Sequence, residues 1–309
     1  MNTKEPLISI CIPCFKRIEQ VRNTLRSIYY SNKDVSFEDF EVVISDNDPD
    51  CELKTIISEF AVFSNFAYYP TNCEGFMNSF YALRYGRGEF LKLHNSQNVF
   101  YPGSLAMLVS FIRDNSKTKP MCFFSNGWLS WRGLRNFVNF EGFMRALSYW
   151  SSSSAGFGIW KEDFDSVCDR ELDPFFPHTS LFVTQFEKPS YVIDNRTYFF
   201  AQRIPRRGDH NKFRAFTVHY PGIIAESCQA GHISTKCRDR IYKGIYTEFL
   251  PNLLFNKYIA AIETYDISGF KENCSRYFPK SAYYLAWANV FFVPFRIISR
   301  RIRQQFFRS

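Results

Sequence analysis

Two stretches limit what this chain can fold into. Residues 7–17, LISICIPCFKR, and residues 40–50, FEVVISDNDPD, are each an apolar run that closes on polar groups. A short continuous apolar run bounded by turn residues reads as a strand buried on both faces. Two such strands about thirty residues apart, with a helix-period segment between them, predict a parallel βαβ unit. Open α/β sheets bind ligands outside the carboxyl ends of their strands. The polar turn after Pro13 and the carboxylates of 46–50 therefore predict a nucleotide-sized site.

The alternation continues to residue 112. Strands are expected at Leu7–Pro13, Phe40–Ser45, Phe66–Tyr69 and Phe90–Leu93, and helices at Ile18–Tyr30, Cys51–Phe60, Gly75–Gly86 and Pro102–Ile112. Val21, Leu25 and Ile28 recur at helical spacing, and Pro102 opens the last helix as helix starts favour. Residues 113–120 are polar and end in Pro120, which suggests a hinge, and 121–125 (MCFFS) reads as a further buried strand. Residues 126–200 are irregular and aromatic, and a helix near 212–230 begins a helical remainder. The expected fold is α/β, a mostly parallel sheet flanked by helices with a helical C-terminal extension. Its expected divisions are 1–115, 116–230 and 231–309.

Composition narrows the class. The 309 residues are 46% hydrophobic and 22% charged, which is globular and not disordered. The 35 Phe and 18 Tyr suit a heavy core or a cleft that stacks sugar faces. A formal charge of +8 attracts phosphate in any form, so its location matters more than its sum. Basic residues concentrate at 203–214 and 296–308. Nine cysteines without regular spacing predict reduced thiols, and the Cys11–Cys14 pair has no second pair at metal-ligand spacing. The start MNTKEPLISI lacks the pattern of a signal peptide, so a cytoplasmic protein is expected.

Ala282–Phe295 is apolar and aromatic but shorter than the roughly twenty residues needed to span a bilayer. Arg296, Arg300, Arg301, Arg303 and Arg308 follow it. That combination predicts a peripheral helix on anionic lipid, not a nucleic-acid groove. A helix capping the core with a solvated tail stays open.

The first hundred residues resemble a family 2 glycosyltransferase of the GT-A fold, of the kind that builds bacterial surface polysaccharides. SICIPCFKR, EVVISDNDPD, TNCEGFMNSFYALRYGRGEFLKL and YPGSL carry the resemblance in order and spacing, and it thins beyond Asn126. It implies that Pro13 and Phe15 line a base pocket with Arg17 nearby, and that Asp46 or Asp48 accepts hydrogen bonds from base or ribose. An Asx turn is the alternative for those two carboxylates. Asn72 and Gly75 would approach the nucleotide. Arg84 would meet a phosphate or pair with Glu74.

The chain departs from the family at the metal motif. Where an Asp-x-Asp is usual before the Pro-Gly, it reads KLHNSQNVFYPG, and no carboxylate lies between Glu89 and Asp114. Mg or Mn prefers carboxylates with diphosphate oxygens. Three readings stay open: an ion bound weakly with help from Asn95, Ser96 or Asn98; a leaving group neutralised by cations such as Lys92, Arg203, Arg206, Arg207 or Lys212; or loss of catalysis.

For the base that takes the acceptor's proton, the register of LDPFFPHTSLF puts His178 where the family carries Asp, and imidazole titrates near neutrality. Asp163 ranks second, with Asp165 and Asp173 behind it. A structural role for His178 at the turn after Pro177 is the alternative. Trp150, Phe157 and Trp160 are candidates for an acceptor platform. The expected function is transfer of a hexose or related sugar from a nucleotide-sugar donor to a lipid-linked or oligosaccharide acceptor, with inversion, at the inner face of the cell membrane in capsule or O-antigen synthesis. The alternative is a non-catalytic relative that binds nucleotide or glycan as a partner subunit. A nucleotidyltransferase would want a glycine-rich phosphate loop, which IPCFKR lacks.

Overall fold

The structure, a computed structural model, describes residues 5–202 and 211–306. Its contacts group the chain into two compact units, one of Met1–Phe140 with Ser151–Arg203, the other of Glu141–Trp150 with Ile204–Ser309.

The first unit runs β1 (Ile8–Cys14), α1 (Ile18–Tyr29), β2 (Phe40–Asp46), α2 (Lys54–Phe60), β3 (Phe66–Pro70), α3 (Asn78–Arg84), β4 (Phe90–Leu93), β5 (Asn98–Phe100), α4 (Ser104–Asn115), β6 (Met121–Phe124) and β7 (Leu134–Phe137). After α5 (Phe140–Leu147), most of which belongs to the second unit, it resumes with β8 (Gly158–Trp160), α6 (Lys161–Val167), α7 (Pro177–Val183), β9 (Tyr191–Asp194) and β10 (Phe199–Ala201). The main sheet has the order β3-β2-β1-β4-β8, parallel except for β8. Smaller sheets pair β6 with β9 and β7, and β5 with β10. The α/β expectation holds, and the long elements lie within three residues of their expected bounds.

Helices cover both faces of the main sheet, so Ile8, Ile10, Cys11 and Ile12 of β1 are all fully buried. Register sets which strand ends meet. Cys14 pairs with Asp46, and Cys11 with Leu93, so the C-terminal ends of β1, β2 and β4 lie side by side.

The opposite end of the sheet is closed by a buried clamp. Glu41, 2% exposed, accepts the Ser9 hydroxyl at 2.6 Å, the Arg87 backbone N–H at 2.6 Å and its guanidinium at 2.9 and 3.0 Å. Gly88 passes so close to β1 that a Cβ would stand 2.6 Å from Ser9 N. Residues 113–120 finish α4 and enter β6 inside this unit, so the expected hinge there separates no compact units.

The second unit holds most of α5 and the helices α8 (Lys212–Arg214), α9 (Tyr220–Gln229), α10 (Thr235–Gly244), α11 (Leu250–Tyr258), α12 (Phe270–Tyr277), α13 (Ala282–Val290) and α14 (Val293–Phe306). Turns of π-helical geometry, Ala215–His219 and Ile245–Phe249, lead into α9 and α11, each with Pro in its first turn. Proline lacks an N–H and pushes away the carbonyl four residues back, and a wider turn absorbs this. The displaced Thr247 carbonyl accepts Arg296 Nη1 at 2.7 Å. Arg296 is thus spent inside the unit, which corrects its expected place in the basic lipid-facing tail. No helix among the described residues is long and apolar enough to cross a membrane.

Candidate active site

The candidate site is the C-terminal edge of the main sheet. Its scaffold is Asn78 at the start of α3, 4% exposed, whose Nδ2 donates to Cys14 O at 2.8 Å, Ser45 O at 3.0 Å and Asn47 Oδ1 at 2.9 Å. Ser45 Oγ donates back to Asn78 Oδ1 at 2.6 Å. One amide therefore ties the ends of β1 and β2 together and leaves their buried polar groups paired. Asn47 Nδ2 reaches Cys73 O at 3.1 Å and Gly75 O at 3.3 Å, which brings the loop of Asn72 and Gly75 to the same edge. Two rings stand exposed there, Phe15 at 53% and Phe76 at 46%.

The carboxylates behave differently from expectation. Asp46 is fully buried, accepts the Tyr68 hydroxyl at 2.8 Å and the Asp48 N–H at 3.1 Å, and burial pushes its carboxyl pKa up. Asp48, 2% exposed, accepts the N–H groups of Asp50 at 3.4 Å and Glu52 at 3.3 Å. Both side chains shape the turn after β2, the Asx alternative, and present no open face to a base or ribose. Asp48, Asp50 and Glu52 bring carboxylate oxygens within 4.8 Å of one another, the spacing of a cation site. The Lys16 ammonium already sits there, at 3.9, 3.5 and 3.8 Å from the three, and Asp48 foremost pushes its pKa up.

The loop after β4 fills the place of the family's metal motif. His94 is buried, stacked on Phe100 at 4.3 Å with Nε2 2.8 Å from Asn98 O, and burial pushes its pKa down to about 3. Asn95 Oδ1 accepts the Ser154 hydroxyl at 2.9 Å, and Gln97 Oε1 accepts Arg17 Nη1 at 3.2 Å. Ser96 and Asn98 are 5% and 2% exposed, and the Ser96 carbonyl accepts Thr24 Oγ1 at 2.9 Å. These donors are neutral, buried or already engaged, so the loop does not fit a hard divalent cation. Lys92, expected at the diphosphate, is corrected. It is 3% exposed, donates to Leu93 O at 2.7 Å and Ala155 O at 2.6 Å, and burial pushes its pKa down to about 7.

His178 reaches this edge from α7. Its Nε2 lies 2.9 Å from Ser152 O, two residues from the serine that holds Asn95. A carbonyl only accepts, so Nε2 carries the ring proton and Nδ1 the lone pair. Burial pushes the ring's pKa down to about 4, which keeps it neutral at pH 7. Asp173, just upstream, accepts the N–H groups of Phe175 and Phe176 at 2.8 and 3.0 Å and acts as a turn former.

Other expected residues lie elsewhere. Asp163 is on α6, which starts where the Lys161 N–H bonds Glu89 O at the N-terminal end of β4, and it pairs with Lys188 at 2.7 Å. Arg84 is exposed at the far end of α3, on the turn that leads to Gly86 and Gly88 beside Ser9. The structure brings neither to the strand ends. Phe157 and Trp160 are 1% and 0% exposed, with the Trp160 indole N–H 2.8 Å from Pro120 O, so they are core and not platform. Trp150 belongs to the second unit, as does Lys212, whose Nζ is 3.2 Å from the Tyr265 hydroxyl. Arg203, Arg206, Arg207 and Arg308 lie outside the described residues. Sequence reasoning missed Lys16, Asn47, Asn78 and Gln202. Asn78 was signalled only as one polar residue opening an apolar helix.

The sequence matches the family described as Glycosyl transferase family 2 over residues 9–164. No curated protein sequence matches it significantly. Among solved structures, S. aureus TarS 1-349 is similar at a TM-score of 0.60 and 12% identity, over 90% of this chain and 82% of that one. The same protein in complex with UDP-GlcNAc gives 0.56 and 14%, over 90% and 83%. The mannosyltransferase PcManGT from Pyrobaculum calidifontis, in complex with GDP-Man and Mn2+, gives 0.54 and 13%, over 97% and 86%. The likenesses to solved structures bear on the fold, and with the family match over half of its length the chain belongs to glycosyl transferase family 2, with the GT-A fold.

Proposed function

We propose that this glycosyltransferase moves a hexose or related sugar from a nucleotide-sugar donor to a lipid-linked glycan, with inversion at the anomeric carbon, in bacterial surface-polysaccharide synthesis at the inner face of the cell membrane. The observation that carries the donor side is the convergence of Phe15, Arg17, the 72–77 loop, the 94–98 loop and His178 on one sheet edge. Phe15 and Phe76 offer flat apolar faces to a base. Similar structures hold UDP-GlcNAc and GDP-Man. His178 takes the proton of the acceptor hydroxyl on Nδ1 as the oxygen attacks. A diphosphate nearby favours the imidazolium, so donor binding raises the base strength of a ring that burial holds low.

Support for a lipid-borne acceptor comes from the second unit. Tyr284, Phe291, Phe292, Phe295, Ile298 and Ile302 of α13, α14 and the link between them are 48–72% exposed, on a stretch whose sequence adds Arg300, Arg301 and Arg303. Exposed aromatics beside arginines fit an anionic bilayer surface.

Transfer assays with UDP- and GDP-sugars and a bacterial lipid extract test the proposal. Expected is product with one donor, lost by roughly a hundredfold or more in His178→Gln while donor still binds, and retained in Asp163→Asn. Nucleotide binding with no turnover on any donor would favour the non-catalytic reading, for which the carboxylate-free loop is the supporting observation.

A further inference from the structure

Departure of a nucleoside diphosphate places growing negative charge on its β-phosphate oxygen, and something fixed and positive must stand there. In this chain the loop that would hold a metal is filled by its own contacts. Asn95 and Gln97 accept protein donors, His94 is stacked in the core, and Asn98 lies buried in β5. Two lysines near the edge are committed elsewhere: Lys92 to buried carbonyls, Lys16 to Asp48, Asp50 and Glu52.

Arg17 stands at the strand ends themselves. It is exposed, sits immediately before α1 at the end of the turn after β1, and its Nη1 spans to Gln97 Oε1 across the ends of β1 and β4. Gln97 is itself anchored, its carbonyl accepting the Gln202 N–H at 2.9 Å and Gln202 Nε2 at 3.3 Å. Both Lys16 and Arg17 adopt the left-handed conformation, φ 57° and 64°, which side-chain-bearing residues resist and which two in succession make rarer. Strain of this kind concentrates where a side chain must be aimed. Here it sends Lys16 to the carboxylates and Arg17 to the loop after β4.

We infer that Arg17 takes the place of the divalent cation: its guanidinium binds the donor's diphosphate and stabilises the nucleoside diphosphate as it leaves, so transfer needs no metal. The acceptor oxygen bonds to the anomeric carbon, the bond from that carbon to the β-phosphate oxygen breaks, and its electron pair stays on the phosphate. The acceptor's proton goes to His178. Arg suits this role because its planar fork binds phosphate through two hydrogen bonds and never loses its charge. Gln97 is a positioning residue that holds the fork in place.

This inference rests on the strand ends being the donor site, and calorimetric titration separates the two claims. The probes are UDP, UMP and uridine, then GDP, GMP and guanosine, each in excess EDTA and again with excess MnCl2. Expected is a diphosphate affinity for the unaltered protein that agrees within roughly twofold with and without manganese. Arg17→Gln should weaken the diphosphate by about ten- to a hundredfold and leave the nucleoside unchanged, with Arg17→Lys between. Arg17→Asn, which tolerates the left-handed backbone, should match Arg17→Gln and so exclude a folding effect. A tenfold or greater gain from manganese, an unaltered diphosphate affinity in Arg17→Asn, or equal losses for nucleoside and diphosphate would overturn the inference and leave the donor site standing. Failure of every probe to bind the unaltered protein would sink both.

Discussion

Asn78 holds the candidate site together through its own hydrogen bonds. Its buried amide serves the Cys14 carbonyl of β1, the Ser45 carbonyl of β2 and the side chain of Asn47. Asn78→Ala leaves those acceptors unpaired, and we expect a loss of roughly 2–4 kcal/mol in urea unfolding. His178 gives a pH signature whose sign follows from burial. Its folded pKa is down at about 4 against an unfolded value near 6.5, so unfolding takes up a proton between those limits. The stability tied to that ring is fully present above pH 6.5 and is lost as the pH falls towards 4, on the order of 2 kcal/mol by pH 5. Urea midpoints at pH 7 and pH 5 should differ less in His178→Gln than in the parent. At this scale the sequence was a partial guide. It placed residues of the right chemistry at the strand ends, yet Asp46, Asp48 and Lys92 turned inward, because a strand end alone does not say which polar groups the fold keeps for itself.

Among the elements, β1, β2 and β4 position the site, and the clamp at their other end keeps them in register. Gly88→Ala would drive a Cβ into the backbone of Ser9 and Ile8, at 2.6 and 2.7 Å, where no side chain can swing aside. We expect about 1–3 kcal/mol of destabilisation, read as a lower thermal midpoint. Long elements were legible because period and punctuation agree over seven residues or more, as in β1 and α1. Strands β5, β8 and β10 were not, since each is three residues long and pairs with partners far away in sequence. Asp163 and the core tryptophan Trp160 were misplaced for the same reason. Without β8, nothing in the sequence shows that α6 begins at the N-terminal end of β4.

Over the whole molecule, the fold class was readable from βα alternation, whereas the grouping into compact units was not, because the second unit takes residues 141–150 from the middle of the chain. The exposed aromatics of its last helices give a prediction at this scale. Sedimentation with vesicles of phosphatidylserine and phosphatidylcholine should recover the protein. Replacing Phe291 and Phe295 together by Glu should weaken that binding by roughly tenfold or more, since each ring buried in the interface contributes about 1.5–3 kcal/mol. The proposed function puts the nucleotide-sugar donor at the C-terminal ends of β1, β2 and β4. A crystal structure with UDP or GDP bound tests this most directly. It should show the base beside Phe15 and the 72–77 loop, with the diphosphate reaching Arg17 and Gln97. A nucleotide found at the Ser9–Gly88 end of the sheet, or on the second unit, would contradict it.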